Sequence, residues 1–350
     1  MNDLNKTIIA FASLGSFLRA FLESTANEDD WSQKLEETII LAGHKNGWFT
    51  KENVVLAIES WADLLTEQEL TAWLSTYNNS EVDVTPKQKT VAIIMAGNIP
   101  LVGFHDFLSV LITGNKALVK LSDSDKVLVP FLASFLIEKE PTLKDKIEFS
   151  DGKLENFDVV IATGSNNTSR YFEYYFSKKP NIIRKNRNSV AVIKGDETTS
   201  QLEALGKDIF HYYGLGCRSV SKLFVPKNYD FDILFKAIFP FGDIVNQNKY
   251  ANNYDYNKAV YLMSNFAILD NGFLILKEDK SYGSPIASLN YEYYSSEESL
   301  KKRLIDDEEH LQCVVASNFL DNEIIFGETQ TPKLNDYADG VDTIAFLLKT

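Results

Sequence analysis

The residues best equipped for chemistry lie in one short run, Gly214-Leu215-Gly216-Cys217-Arg218-Ser219. Its glycines permit a bend that residues with a Cβ resist, and they leave space around the thiol. Arg218 alongside favours the thiolate, the form of cysteine that attacks an electrophilic carbon. The same run also suits a small thiol that only packs, since unpaired cysteines are among the most buried residue types. His211, shortly before Cys217, offers a Cys–His pair of the thioesterase or acyltransferase kind if the intervening chain folds back. Two other turns, Gly97-Asn98-Ile99-Pro100 and Gly164-Ser165-Asn166-Asn167-Thr168, can present backbone N–H groups to an anion or act only as tight turns. Neither G-x-G-x-x-G nor a P-loop occurs. His44, His105, His211 and His310 form no i, i+4 pair and neither cysteine has a second one nearby, so no metal site is expected.

These turns need elements to hold them. Residues 1–80 read as helices, with Leu4, Ile8, Phe11, Leu14, Phe17, Leu18 and Phe21 on one apolar face, then Leu35, Ile39 and Ile40, then Val55, Ile58, Trp61, Leu64 and Leu65. Asn78–Lys89 is polar and contains Pro86, which reads as a connection. From Thr90 the texture changes. Thr90–Ala96 is a continuous apolar run, as in a strand buried on both faces. A helix over Leu101–Ile112, a strand over Lys116–Leu121, a helix over Asp125–Glu138 capped by Ser122 or Ser124, and strands at Lys146–Phe149 and Phe157–Thr163 follow. The turn at Gly164 then opens a helix over Ser169–Ser177. Alternating strands and helices predict parallel pairing with crossover helices, a doubly wound nucleotide-type domain. A second α/β unit carries a strand over Ser189–Lys194, a helix over Glu203–Tyr213, the Cys217 loop and a strand over Ser219–Val225. Tyr291–Tyr294 reads as a half-buried strand, and the Thr343–Leu348 end as an apolar strand or helix.

Composition narrows the function class. The chain has 350 residues, 45% hydrophobic and 24% charged, so it has ample material for about two folded domains. A net charge of −14 argues against nucleic acid or an anionic membrane surface as the main partner. Two cysteines, Cys217 and Cys313, make no disulfide framework and suit a reducing compartment. The apolar stretch at Val127–Ile137 is too short to span a bilayer, and no signal-peptide pattern opens the chain. A cytoplasmic protein is expected.

In combination the motifs resemble the aldehyde dehydrogenase superfamily. VAIIMAGNIPLVGFHDFLSVLITGNKALVKLSDSD (Val91–Asp125), DVVIATGSNNTSR (Asp158–Arg170) and GLGCRSVSKLFVP (Gly214–Pro226) stand in that superfamily's order. The form GCRSVS and the tail PKLNDYADGVDT (Pro332–Thr343) are similar to the fatty acyl-CoA reductase branch that supplies aldehyde in luminous bacteria. The resemblance implies an aldehyde-dehydrogenase-like α/β fold. N-terminal helices and a cofactor domain would span 1–190 and a catalytic domain 191–320, with a tail at 321–350 serving oligomerisation. It implies Cys217 as nucleophile and Asn98 as oxyanion donor. Lys120 and Ser122 would lie at the adenosine ribose or its 2′-phosphate, and Thr163, Gly164 and Ser165 beside the nicotinamide-nucleotide phosphates. Acyl-CoA is the implied substrate and NADPH the implied cofactor, with NADH as the other choice. A homo-oligomer and an acyl-donating partner protein are the implied partners. Asp123 and Asp125 would oppose a 2′-phosphate if they point inward. Two departures stand out. Ser169 replaces the glycine that often ends the superfamily's phosphate turn. Ile182–Ile193 holds no acid where the water-activating glutamate belongs, Arg184 or a neighbour taking its place. Without that base, thioester chemistry is expected rather than oxidation to an acid. Arg184, Lys185 and Arg187 are then candidates for CoA phosphates. A non-catalytic scaffold that keeps the fold is the remaining alternative.

Overall fold

The computed structural model describes residues 3–23, 30–77 and 88–350, so most of the connection expected at Asn78–Lys89 lies outside the described residues. The chain divides into two compact units, residues 1–185 with 333–350 and residues 186–332. Each is described by itself.

In the first unit, strands β1 (Thr90–Ile94), β2 (Lys116–Lys120), β3 (Ile147–Phe149), β4 (Val159–Thr163) and β5 (Asn181–Arg184) form one sheet in the order β3-β2-β1-β4-β5. Every pairing is parallel. Val91, Ala92 and Ile93 are buried, as a strand covered on both faces requires. The chain first winds outward from β1 through β2 to β3, then crosses to β4 on the other side. That reversal places a topological switch point at the carboxyl ends of β1 and β4.

The helices Phe104–Ile112 and Asn166–Phe176 pack on this sheet, and Asp3–Leu22 packs on other helices, Phe104–Ile112 among them. Asp3–Leu22 buries Ile8, Phe11, Leu14 and Leu18, as its spacing predicts. Phe17 stacks on Phe135 with ring centroids 4.8 Å apart, and Trp61 meets Phe104 edge-on at 4.8 Å. Ile40 departs from expectation and is exposed. The apolar run at Val127 forms the helix Leu128–Lys139, with Pro130 in its first turn where a missing N–H does no harm. Its cap is neither Ser122 nor Ser124. The Asp125 carboxylate accepts from the Leu128 N–H at 3.3 Å.

The tail returns to this first unit. Thr343–Lys349 is a helix, not a strand, and it packs on the helix Phe104–Ile112 with Ile344 and Leu347 buried. Ile344 and Leu347 of this apolar end therefore face their own unit. Several bonds hold the tail. Trp73 Nε1 donates to Tyr337 Oη at 2.8 Å, Tyr77 Oη donates to Asp342 at 2.9 Å, and His105 Nε2 meets the Leu334 carbonyl at 2.9 Å. Deeper in, Arg184 at the end of β5 forms a buried ion pair with Asp106 and donates to Thr343 Oγ1 at 3.1 Å.

The second unit has the sheet order β11-β6-β7-β10-β9-β8. Its strands are β6 (Asn188–Val192), β7 (Val220–Pro226), β8 (Ile268–Asp270), β9 (Ile275–Glu278), β10 (Ser288–Tyr294) and β11 (Leu311–Val315). All pairs are parallel except the β8–β9 hairpin. Leu205, Ile209, Leu223, Leu234, Leu276 and Leu289 make the core between this sheet and the helices Thr199–Phe210 and Phe231–Ala237. Tyr291–Tyr294 lies in β10, part buried and part open, as expected.

The Arg184–Asp106 pair is a demanding contact of the first unit, because both charges are buried away from water. Arg184→Ala should lower unfolding free energy by about 3–5 kcal/mol by stranding the Asp106 carboxylate. The double variant Arg184→Met with Asp106→Leu should recover most of that loss. Urea denaturation of both variants checks the two outcomes.

Candidate active site

The first unit gathers six of the expected site residues along one edge of its sheet. Asn98 lies just past β1, Lys120 ends β2 with Ser122 two residues on, and Thr163 ends β4 with Gly164 and Ser165 just past it. Because β2, β1 and β4 are parallel neighbours, all six reach the same, carboxyl edge. Lys120 Nζ donates to the Gly152 carbonyl at 3.1 Å. Ser122 Oγ accepts from the Ser124 N–H at 3.2 Å. The β1 and β2 turns lie so close that a Cβ added to Gly97 would stand 2.6 Å from Ser122.

At β4, Ser165 is the N-cap of the helix Asn166–Phe176, which starts earlier than expected. Its Oγ accepts from the Thr168 N–H at 3.3 Å, so the hydroxyl serves the cap and the helix amino end supplies the anion-attracting dipole. Ser169, the departure from glycine, is buried one turn in. A cation, hydroxyls and a helix amino end along one edge are the donor set that a ribose and phosphates call for. Asn98 itself is exposed.

The aspartates that could oppose a 2′-phosphate do not act together. Asp123 is exposed and pairs with Lys126 at 2.7 Å. Asp125 turns inward, where burial pushes its carboxyl up while backbone N–H groups of Leu128, Leu101 and Val127 pull it down. It thereby ties the loop after β2 to the turn that carries Asn98. Leu101 in that turn holds φ +57, a conformation that L side chains rarely adopt.

In the second unit, Cys217 sits on the loop entering β7, at the amino ends of β6 and β7. The approach is strained. Tyr212 and Tyr213 hold φ +53 and +58, and Gly214 follows at +73. Left-handed non-glycine residues cost about 1–3 kcal/mol each and cluster at functional sites. A tight turn then brackets the thiol, the Ser219 N–H donating to the Gly216 carbonyl at 3.0 Å. Ser189 Oγ donates to the Cys217 carbonyl at 2.9 Å. Cys217 is partly open, whereas Cys313 is buried in β11. Arg218 directs its Nε to the Thr329 carbonyl at 2.8 Å.

His211 sits at the end of the helix Thr199–Phe210, where burial foremost, then Lys207, lowers its imidazole below the usual range. The three basic residues expected near CoA phosphates are otherwise engaged. Arg184 is buried on Asp106, Lys185 pairs with Glu173 at 2.8 Å, and Arg187 donates to the Glu308 and Leu311 carbonyls at 3.3 and 3.2 Å. The sequence reasoning missed Asp125, Asp208 and Thr329 as residues that hold the turns. An aspartate just before a helix was the available signal for Asp125. Thr329 joins the site only through the fold.

The fold and the ordered turns define an aldehyde-dehydrogenase-like α/β protein. Among solved structures the chain is similar to aldehyde dehydrogenase 21 of Physcomitrella patens, at 11% identity and TM-score 0.68, covering 100% of this chain and 84% of that one. It is also similar to the AldA indole-3-acetaldehyde dehydrogenase of P. syringae, solved in complex with NAD+ and IAA, at 14% identity and TM-score 0.64, covering 92% and 74%. The aldehyde dehydrogenase KauB of Pseudomonas aeruginosa matches at 14% and 0.64, covering 91% and 73%. No curated protein matches. The family profile "Acyl-CoA reductase (LuxC)" matches residues 30–233, and the chain belongs to this oxidoreductase family. No described helix is long and apolar enough to cross a membrane.

Two predictions follow from the local geometry. Gly214→Ala forces a Cβ into φ +73 with the Ile209 carbonyl 3.3 Å away, and should lower stability by about 1–2 kcal/mol in thermal melts. His211 and His105 both have lowered imidazole pKa values, burial being the first cause. The stability each contributes is present above the unfolded value of 6.5 and is lost as pH falls through the lower folded value. Urea midpoints should fall as the pH drops below 6.5, less steeply in His211→Gln.

Proposed function

We propose that this chain reduces a fatty acyl-CoA thioester to the aldehyde with NADPH, through an acyl group carried on Cys217. The observation that carries this reading is the partly open Cys217 on a strained, bonded turn, in a chain of the acyl-CoA reductase family. The Cys217 thiolate attacks the thioester carbonyl, and the Asn98 side-chain amide with the Cys217 backbone N–H stabilises the oxyanion. The carbon–sulfur bond to CoA breaks, and CoA departs as a thiolate that takes up a proton. A reduced nicotinamide would supply the hydride when bound, and the acyl group on Cys217 would then become a thiohemiacetal. Collapse of that adduct releases the aldehyde and restores the Cys217 thiolate.

Lys120, Ser122, Thr163, Gly164 and Ser165 are the residues that would hold the dinucleotide. Lys120 favours NADPH over NADH, because its ammonium can pair with a 2′-phosphate while Asp125 is turned inward. The solved relative from P. syringae binds NAD+, which supports the nicotinamide class. Release as an acid would need a base for water, and none stands in Ile182–Ile193, where Arg184 is committed to Asp106. The reading places the protein in the cytoplasm as a homo-oligomer, receiving acyl groups made available by an acyl-donating partner protein.

The test is purified protein with long-chain acyl-CoA and NADPH, followed by nicotinamide absorbance. Cys217→Ser should abolish turnover, with loss on the order of 10⁴-fold. Asn98→Ala should lower kcat by about 10²–10³-fold. Lys120→Ala should raise KM for NADPH more than for NADH. No absorbance change across chain lengths with either nucleotide overturns the reading. Acyl release without nucleotide, lost equally in Cys217→Ala and His211→Ala, would assign a thioesterase or acyltransferase instead. Absence of any acyl adduct on Cys217 by mass spectrometry would assign a scaffold.

A further inference from the structure

One buried carboxylate of the second unit takes no part in the chemistry above. Asp208, in the last turn of the helix Thr199–Phe210, is completely buried. It accepts from the Gly327 N–H at 2.6 Å, from the Thr329 N–H at 3.0 Å and from Thr329 Oγ1 at 2.8 Å. Those donors all belong to one returning loop. The same loop holds both residues that follow Cys217. The Thr329 carbonyl receives Arg218 Nε at 2.8 Å, and Gln330 Nε2 donates to Ser219 Oγ at 3.3 Å. Gly327 seats the loop on the helix. At φ +91 a Cβ there would stand 3.0 Å from Ala204 Cβ, four residues before Asp208.

A buried carboxylate is a costly way to join a helix to a loop, since an apolar contact would avoid the desolvation. Its advantage is direction. Three donors fix the loop, and so Thr329, to one orientation. Ser189 Oγ separately holds the Cys217 carbonyl. We propose that Asp208 is a positioning residue for Cys217, acting through Thr329 and Arg218 to hold the Gly216–Ser219 turn so that the sulfur is aimed for attack. This inference rests on the reading of Cys217 as the nucleophile.

Three variants test it on the full chain: Asp208→Asn, Arg218→Gln and Thr329→Val. In Asp208→Asn the new amide sets a donor against the Gly327 or Thr329 N–H. In Thr329→Val only the hydroxyl bond is lost. The readouts are the melting temperature, the rate of Cys217 alkylation by iodoacetamide as a function of pH, and kcat and KM for acyl-CoA. Asp208→Asn and Arg218→Gln should each slow alkylation and kcat by about tenfold with KM changed less than about twofold, and Thr329→Val by about threefold. Lys222→Met, which removes a buried lysine from its ion pair with the partly exposed Glu292 in the same unit, should lower the melting temperature without slowing alkylation. Wild-type alkylation rates in folded Asp208→Asn and Arg218→Gln would overturn the proposal. If Asp208→Asn does not fold, wild-type rates in both Arg218→Gln and Thr329→Val overturn it. Slowed alkylation in a protein that reduces no acyl-CoA would uphold the positioning role and reject the reductase reading.

Discussion

Parallel pairing of β2, β1 and β4 is the constraint from which the first unit follows. Parallel strands cannot be joined by short turns, so each must be followed by a crossover that returns the chain to the starting edge. All three strands therefore end on the same side. The turn with Asn98, the lysine of β2 and the cap of the helix Asn166–Phe176 are neighbours for that reason. The apolar run of β1, buried on both faces, pins the register on which this adjacency depends.

Each unit secures one of its candidate-site turns with an inward-facing aspartate. Asp125 joins the loop after β2 to the backbone at Leu101 and to the helix at Leu128. Asp208 joins a helix to the loop that holds Arg218. In both, burial raises the carboxyl pKa and backbone N–H groups oppose the rise. Backbone in left-handed conformations accompanies both, at Leu101 and at Tyr212 and Tyr213. Strain of that kind persists only where surrounding contacts over-determine the chain.

Arg184 lies in the segment where the superfamily resemblance calls for a base to activate water. No acid occurs in Ile182–Ile193, and by that resemblance the guanidinium of Arg184 or the side chain of a neighbour takes the place. The structure gives that guanidinium a mechanical task, holding β5, the helix Phe104–Ile112 and the tail helix through Asp106 and Thr343. A cation committed in this way neither takes a proton from water nor meets a solvent-borne phosphate.

The amino-acid order by itself determined the alternation of strands and helices, the apolar face of the first helix and the turns bearing Asn98, Ser165 and Cys217. Those features are local, set by periodicity of 2.0 or 3.6 and by glycine, proline and capping residues. The short strand β5, the burial of Arg184 and the return of the tail as a helix to the first unit were decided only by tertiary structure. So was the loop of Thr329, more than a hundred residues from the arginine it holds. Partner choice at such separations depends on which surfaces meet after the sheets form, and no local pattern carries that information.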